Sequence, residues 1–206
     1  MKRQGTQISF LLLMAVLSVG CGLWMSGLGC SSKESASAPT TVVLAAPTST
    51  PVCASPSSQG VTTTGTLSNE YNADQLTGQP VTLTVSSSVV SISIQTGTTS
   101  AVQGRFGIYT DNGSYAPGNL VIQTDPVYLT AKSWNTIPLP APVYLTAATY
   151  WLVSNFPTSS FGDLVAISGG NLTYVNYSWG QMPLTFPTTG VNTIGYLAPG
   201  YFSTCP

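Results

Sequence analysis

The sequence predicts an all-β chain built as an antiparallel β-sandwich, and three observations carry that expectation. Apolar and polar residues alternate over short runs. Phe106 and Ile108 face one way while Arg105 and Tyr109 face the other, and Val143 with Leu145, then Tyr150 with Leu152, keep the same two-residue period. Turn-forming residues interrupt these runs at close intervals. No stretch sustains a 3.6-residue apolar period long enough to lay a helix on a sheet face, which argues against βαβ architecture.

Taken in order from Gly60, the alternation places strands at 61–66, 81–85, 89–94, 103–109, 120–124, 127–130, 135–139, 143–145, 149–154, 164–167, 172–177 and 193–196, with one helical turn near 69–75. The central stretch is 104–153. There Asp111-Asn112-Gly113 ends one strand with residues that accept positive φ. Ala116-Pro117-Gly118 prolongs the turn before Leu120-Val121-Ile122 returns, which predicts a long-looped hairpin.

Composition narrows the function classes. Of 206 residues 5% are charged and 43% are hydrophobic, and the net charge is -1. Val, Ile, Thr and Tyr recur throughout, the opposite of a disordered composition. After position 33 the only basic residues are Arg105 and Lys132, so no basic patch exists to hold a nucleic-acid backbone. The chain has no histidine. That removes Ser/His/Asp and Cys/His nucleophile activation and any imidazole-ligated metal site. No cofactor is expected.

Residues 1–30 read as a signal peptide or lipid-anchor segment. Lys2 and Arg3 precede an uncharged run over 8–28. Two cysteines follow small or apolar residues in the manner of a lipoprotein cleavage site, at Leu17-Ser18-Val19-Gly20-Cys21 and Ser26-Gly27-Leu28-Gly29-Cys30. Cys30 is favoured for lipidation because Ser31, Ser32, Lys33 and Glu34 give a polar start to the tethered chain; Cys21 is the alternative. An uncleaved helix, held with its amino end inside by Lys2 and Arg3, competes with lipidation. Cleavage near 36–38 would release the protein. The first two readings anchor the domain to a membrane and place it at the cell envelope, on the outer membrane or cell surface.

Residues 31–59 form a Ser/Thr/Pro-rich linker, with Pro39, Pro47, Pro51 and Pro56 too closely spaced for a helix. Residues 60–206 are the folded domain. Cys53 and Cys205, the only cysteines outside the export segment, flank it. Export to an oxidising compartment predicts a disulfide between them, with the first and last strands as neighbours.

The blocks Gly107-Ile108-Tyr109, Asp111, Gly113, Pro117-Gly118, Leu120, then Trp134-Asn135-Thr136-Ile137-Pro138-Leu139, then Pro142-Val143, Leu145, Ala147 and Tyr150-Trp151-Leu152 together resemble a β-sandwich module of bacterial secreted and surface proteins. The resemblance covers about 81–155. It implies a jelly-roll-like fold and an appended domain of unassigned or carbohydrate-related role, and it brings no catalytic residues. Where the module usually has glycine before the Tyr-Trp pair, this chain has Ala148.

Three candidate sites follow. Asp111 with Asn112 and Gly113 offers oxygens to a calcium ion, although the same residues make an ordinary turn whose side chains bond nearby amides. Glu70 and Asp74, four apart, would share one face of the helical turn as the carboxylate pair that glycoside hydrolysis needs. Among the aromatic residues, Trp134 and one of the pair Tyr150 and Trp151 are expected in the core, since neighbours on a strand point to opposite faces. Tyr177 and Trp179, in Asn176-Tyr177-Ser178-Trp179-Gly180, are the candidate ligand-binding residues of a surface loop. The expected function is a surface-anchored structural or adhesive module without catalytic activity. The alternative is a carbohydrate-binding module for a wall or environmental polysaccharide.

Overall fold

The computed structural model describes residues 53–65, 67–97, 102–157 and 162–206. The expected export segment with Cys21 and Cys30, and most of the linker, lie outside the described residues. The described part is an antiparallel β-sandwich. Its strands are β1 (Ser57–Val61), β2 (Leu67–Tyr71), β3 (Gln75–Thr82), β4 (Ser87–Gln95), β5 (Val102–Asp111) and β6 (Pro117–Gln123). Then follow β7 (Val127–Leu129), β8 (Trp134–Leu145), β9 (Thr149–Asn155), β10 (Gly162–Asn176), β11 (Asn192–Leu197) and β12 (Gly200–Cys205).

One sheet has four strands in the order β1-β12-β4-β8, and the other has eight, ordered β11-β10-β3-β9-β5-β6 with β2 on β10 and β7 on β5. Period-2 alternation supplies the inner faces. Phe106, Ile108, Tyr150, Leu152 and Val81 of the large sheet, with Leu83 just past β3, meet Val89, Ile92, Ile94, Ile137, Leu139, Leu145 and Phe202 of the small one. Gln79 is buried between the sheets and ties them together: its Nε2 donates to the Gly200 carbonyl at 3.4 Å and its Oε1 accepts from the Ala198 N–H at 2.8 Å.

The first and last strands are neighbours, although they are not the 61–66 and 193–196 that alternation placed at the two ends. Ser57 to Val61 runs antiparallel to Thr204 to Gly200, and Cys53 is bonded to Cys205 with their Cα atoms 5.8 Å apart. The ordered sandwich therefore begins before position 60, inside the stretch read as linker. Gly60 is needed where β1 lies on β12, because its φ is 129° and a Cβ would come within 2.7 Å of the Gly200 carbonyl oxygen.

Several sequence expectations are corrected. Residues 69–75 hold no helical turn; β2 ends at Tyr71 and β3 begins at Gln75, so Glu70 and Asp74 do not share a helical face. β3 was masked by Gly78 and Pro80, which normally weaken a strand. Here β10 pairs β3 only over Gln75 to Gly78, so Pro80 owes no N–H on that side, and Gly78 lets Pro117, Val153 and Trp151 pack at 3.2 to 3.5 Å from where its Cβ would be. The segments 135–139 and 143–145 are one strand, β8, which leaves the ladder between its pairings of Pro138 with Ser91 and Val143 with Val89. Pro140 and Pro142 occupy that excursion, where no ladder hydrogen bond is required. Ala148 does not adopt positive φ, so alanine suits the β8–β9 turn.

Candidate functional site

The two outer faces of the sandwich differ. Over β3, β5, β9 and the end of β10, that of the large sheet is covered by the segment 177–191 between β10 and β11. Leu76, Tyr109, Trp151, Val153 and Val175 point outward from β3, β5, β9 and β10, and Met182 and Phe186 close over them, with Tyr177 and Val191 at the margin. The segment is also bonded as a strand would be: Leu120 N–H donates to Leu184 O, and Phe186 N–H to Gly118 O, each at 2.8 Å. Tyr109 donates its hydroxyl to Pro183 O at 2.7 Å. Both members of the Tyr150-Trp151 pair are therefore buried, contrary to the expectation that one is outside, because both faces of β9 are covered.

Burial, and secondarily the neighbouring Tyr177, pushes the Tyr109 phenol above its ordinary range. Its folded form holds the proton that the unfolded chain loses near pH 10, so its contribution is complete below that pH and falls as pH rises further. Alkaline titration of the folded protein should thus show stability declining above about pH 10, and Tyr109→Phe should flatten the decline; equal slopes in urea melts of the two proteins would contradict this.

Asp111 ends β5 and works locally. Its Oδ1 accepts the Gly113 N–H at 2.7 Å, and its Oδ2 accepts the indole N–H of the fully buried Trp151 at 2.8 Å. Asn112 Oδ1 accepts from Ser114 N–H at 2.7 Å and Ala116 N–H at 3.3 Å, so the side chains of the turn bond nearby amides. No three Asp, Glu or Cys side chains converge among the described residues. Asp111→Ala should destabilise the domain by about 1 to 3 kcal/mol in urea denaturation by leaving the indole N–H buried and unpaired. A calcium site would instead show itself as a loss of stability on adding chelator to the unaltered protein. Beside Asp111 a cleft of about 460 Å³ is lined by Thr110, Tyr115, Ala148, Thr149 and Tyr150, with Tyr115 56% exposed and edge-on to Trp151.

Tyr177 and Trp179 are both half-buried. Tyr177 packs against the outer cluster and donates its hydroxyl to Gln181 O at 3.2 Å. The Trp179 N–H donates to Asp74 Oδ1 at 2.8 Å, and its ring lies 6.0 Å from the Arg105 guanidinium carbon. Arg105 Nη1 donates to Gln123 Oε1, which also accepts the Met182 N–H. Asp74, Arg105, Gln123 and Trp179 together pin the covering segment to the sheet.

The small sheet is arranged differently. Its outward side chains include Trp134 and Thr136 of β8, Ser91, Ser93 and Gln95 of β4, and Tyr201 and Ser203 of β12, the alternates of its core residues. Trp134 is thus half-buried on this face rather than in the core, and its ring lies 5.2 Å from that of Tyr201 at a tilt of 49°. Behind the pair, Ser93 and Thr136 share a hydroxyl contact of 2.9 Å, and Gln95 accepts the Gly65 N–H at 3.2 Å. At the far end a groove of about 400 Å³ is lined by Ser88, Val90, Pro142 and the Cys53–Cys205 bridge, and Tyr144, the β8 partner of Ser88, is 67% exposed. None of the four strands contains Asp, Glu, Lys or Arg. Nothing local singles out Tyr201, because its strand starts within the Pro199-Gly200 step, which reads as a turn. The chain matches no protein-family model and no curated protein.

Proposed function

We propose that this protein is an exported β-sandwich module, anchored at the cell envelope through its amino-terminal segment, with a structural or adhesive role and no catalysis. The observation that carries the reading is the Cys53–Cys205 bridge, which joins the two ends of the domain and suits a protein matured in an oxidising compartment. Lipidation at Cys30, with Cys21 as the alternative, accounts for the basic start, the uncharged run and the polar linker that precede the domain. The absence of histidine and the small number of carboxylates support a non-catalytic role. A second reading, binding to polysaccharide, is favoured by the Trp134–Tyr201 pair on an uncharged sheet face.

Expressed from the intact sequence in a bacterial host, the protein should take up labelled palmitate and fractionate with membranes. Cys30→Ala should abolish the label, or Cys21→Ala if that cysteine is the acceptor. Unlabelled protein free in the medium would overturn the anchored reading, and unlabelled protein retained in the membrane would replace the lipid with an uncleaved helix.

A further inference from the structure

We infer that the outer face of the four-stranded sheet is a binding surface for a neutral environmental polysaccharide, with Trp134 and Tyr201 as its stacking platform. The proposal rests on the non-catalytic surface reading above and adds the ligand class and the site. Three features select this ligand. The four strands carry no charged residue, so their side chains offer nothing to neutralise a phosphorylated or uronic polymer and no carboxylates to attract a cationic one, exposed Lys132 in the turn before β8 being the nearest charge in sequence to Trp134. That argues for a neutral chain from the surroundings over a charged wall polymer. Its polar groups are hydroxyls and one amide, at Ser88, Ser203, Thr136 and Gln95, which suit a partner that is itself covered in hydroxyls.

The aromatic pair supplies the apolar part of recognition. Trp134 and Tyr201 come from strands separated by β4, and their rings are held against each other at 5.2 Å, so the platform is formed before ligand arrives. Sugar rings present apolar C–H faces that pack on such surfaces, while the Tyr hydroxyl and indole N–H remain able to bond at the edge. From Gln95, beside Trp134, to Ser88, beside Tyr144, the face runs roughly 20 Å at the rise of a strand, room for several residues of an extended chain. The groove by the disulfide continues the surface past the bulge at Val90. On the large sheet, segment 177–191 covers the corresponding outer face of β3, β5 and β9.

The test is affinity electrophoresis of the full chain in native gels cast with soluble β-glucan, xylan or mannan, with polygalacturonate as the charged control. Retardation is expected in at least one neutral gel and not in polygalacturonate. Trp134→Ala and Tyr201→Ala should each weaken it by about tenfold or more, as loss of a central aromatic anchor does. Unchanged circular dichroism and melting behaviour would show that both variants fold; if either does not, Thr136→Lys, exposed beside the pair, provides the same test by placing a charge on the face. Several results would overturn the site: no retardation in any neutral gel, equal retardation by the uronic polymer, or loss of binding in Tyr115→Ala or Trp179→Ala with Trp134→Ala unaffected. Dimerisation lost in Trp134→Ala would give the face to a second copy of the chain and also overturn it. Reducing ends released from a bound glycan would sink the non-catalytic reading and leave the site standing, whereas failure to bind would leave that reading standing without the site.

Discussion

Trp151→Ala is expected to cost about 3 to 5 kcal/mol of stability, a large part of what a domain of this size possesses. Trp151 is fully buried on the outer side of β9, in a cluster with Leu76, Tyr109, Val153 and Phe186. Removing the indole leaves a cavity under segment 177–191 and deprives Asp111 of its 2.8 Å partner. The damage should therefore spread to the covering segment. Hydrogen exchange should show the amides of Leu120 and Phe186, whose bonds tie that segment to β6, losing protection together in the variant. Trp151→Phe separates the two contributions, since it keeps most of the apolar area but loses the N–H. If urea denaturation placed Trp151→Ala within about 1 kcal/mol of the unaltered protein, Trp151 would belong to an exposed face.

The second large effect concerns the ends of the domain. Reducing Cys53–Cys205, or replacing both with serine, should lower stability by about 2 to 5 kcal/mol, the upper part of the range following from a closed loop of 152 residues. The loss should be felt first in β1, which among the described residues is an edge strand paired with β12 alone. Proteolysis of the reduced protein should accordingly begin on the amino-terminal side of β3. The check is non-reducing peptide mapping, which should recover the two cysteines as one linked pair, followed by melts with and without reductant. Free thiols in the unreduced protein, or identical melts, would contradict the bridge.

What was readable in the sequence followed the two-residue period. β4, β5, β6, β7 and β9 lie where alternation placed them, and the Asp111-Asn112-Gly113 turn closes the β5–β6 hairpin with the side-chain bonds its composition implies. The strands that escaped notice broke the local rules for a tertiary reason. β3 carries Gly78 because its outer face receives Pro117 and Trp151 at close range and tolerates Pro80 because β10 does not pair there, and β12 starts within a Pro-Gly step and reads as a tail. Burial of adjacent aromatics was illegible for a related reason. Strand alternation assumes that one face meets solvent, and the sequence of 177–191, with Pro183 and Pro187 among polar residues, reads as a loop and not as a lid. The same assumption put Trp134 in the core. Its neighbour Tyr201 is more than 60 residues away in sequence, so their pairing depends on the order β12-β4-β8, which no local pattern encodes.

The contrast between a covered and an open sheet face can be measured directly by hydroxyl-radical footprinting of the intact, disulfide-bonded protein, with oxidation assigned peptide by peptide. Tyr128, Tyr144 and Tyr115 should oxidise fastest, Trp134, Tyr201 and Trp179 at intermediate rates, and Trp151, Tyr109 and Phe106 only after unfolding. Rapid oxidation of Trp151 in the folded protein, with Trp134 and Tyr201 protected, would reverse the two faces and contradict the account.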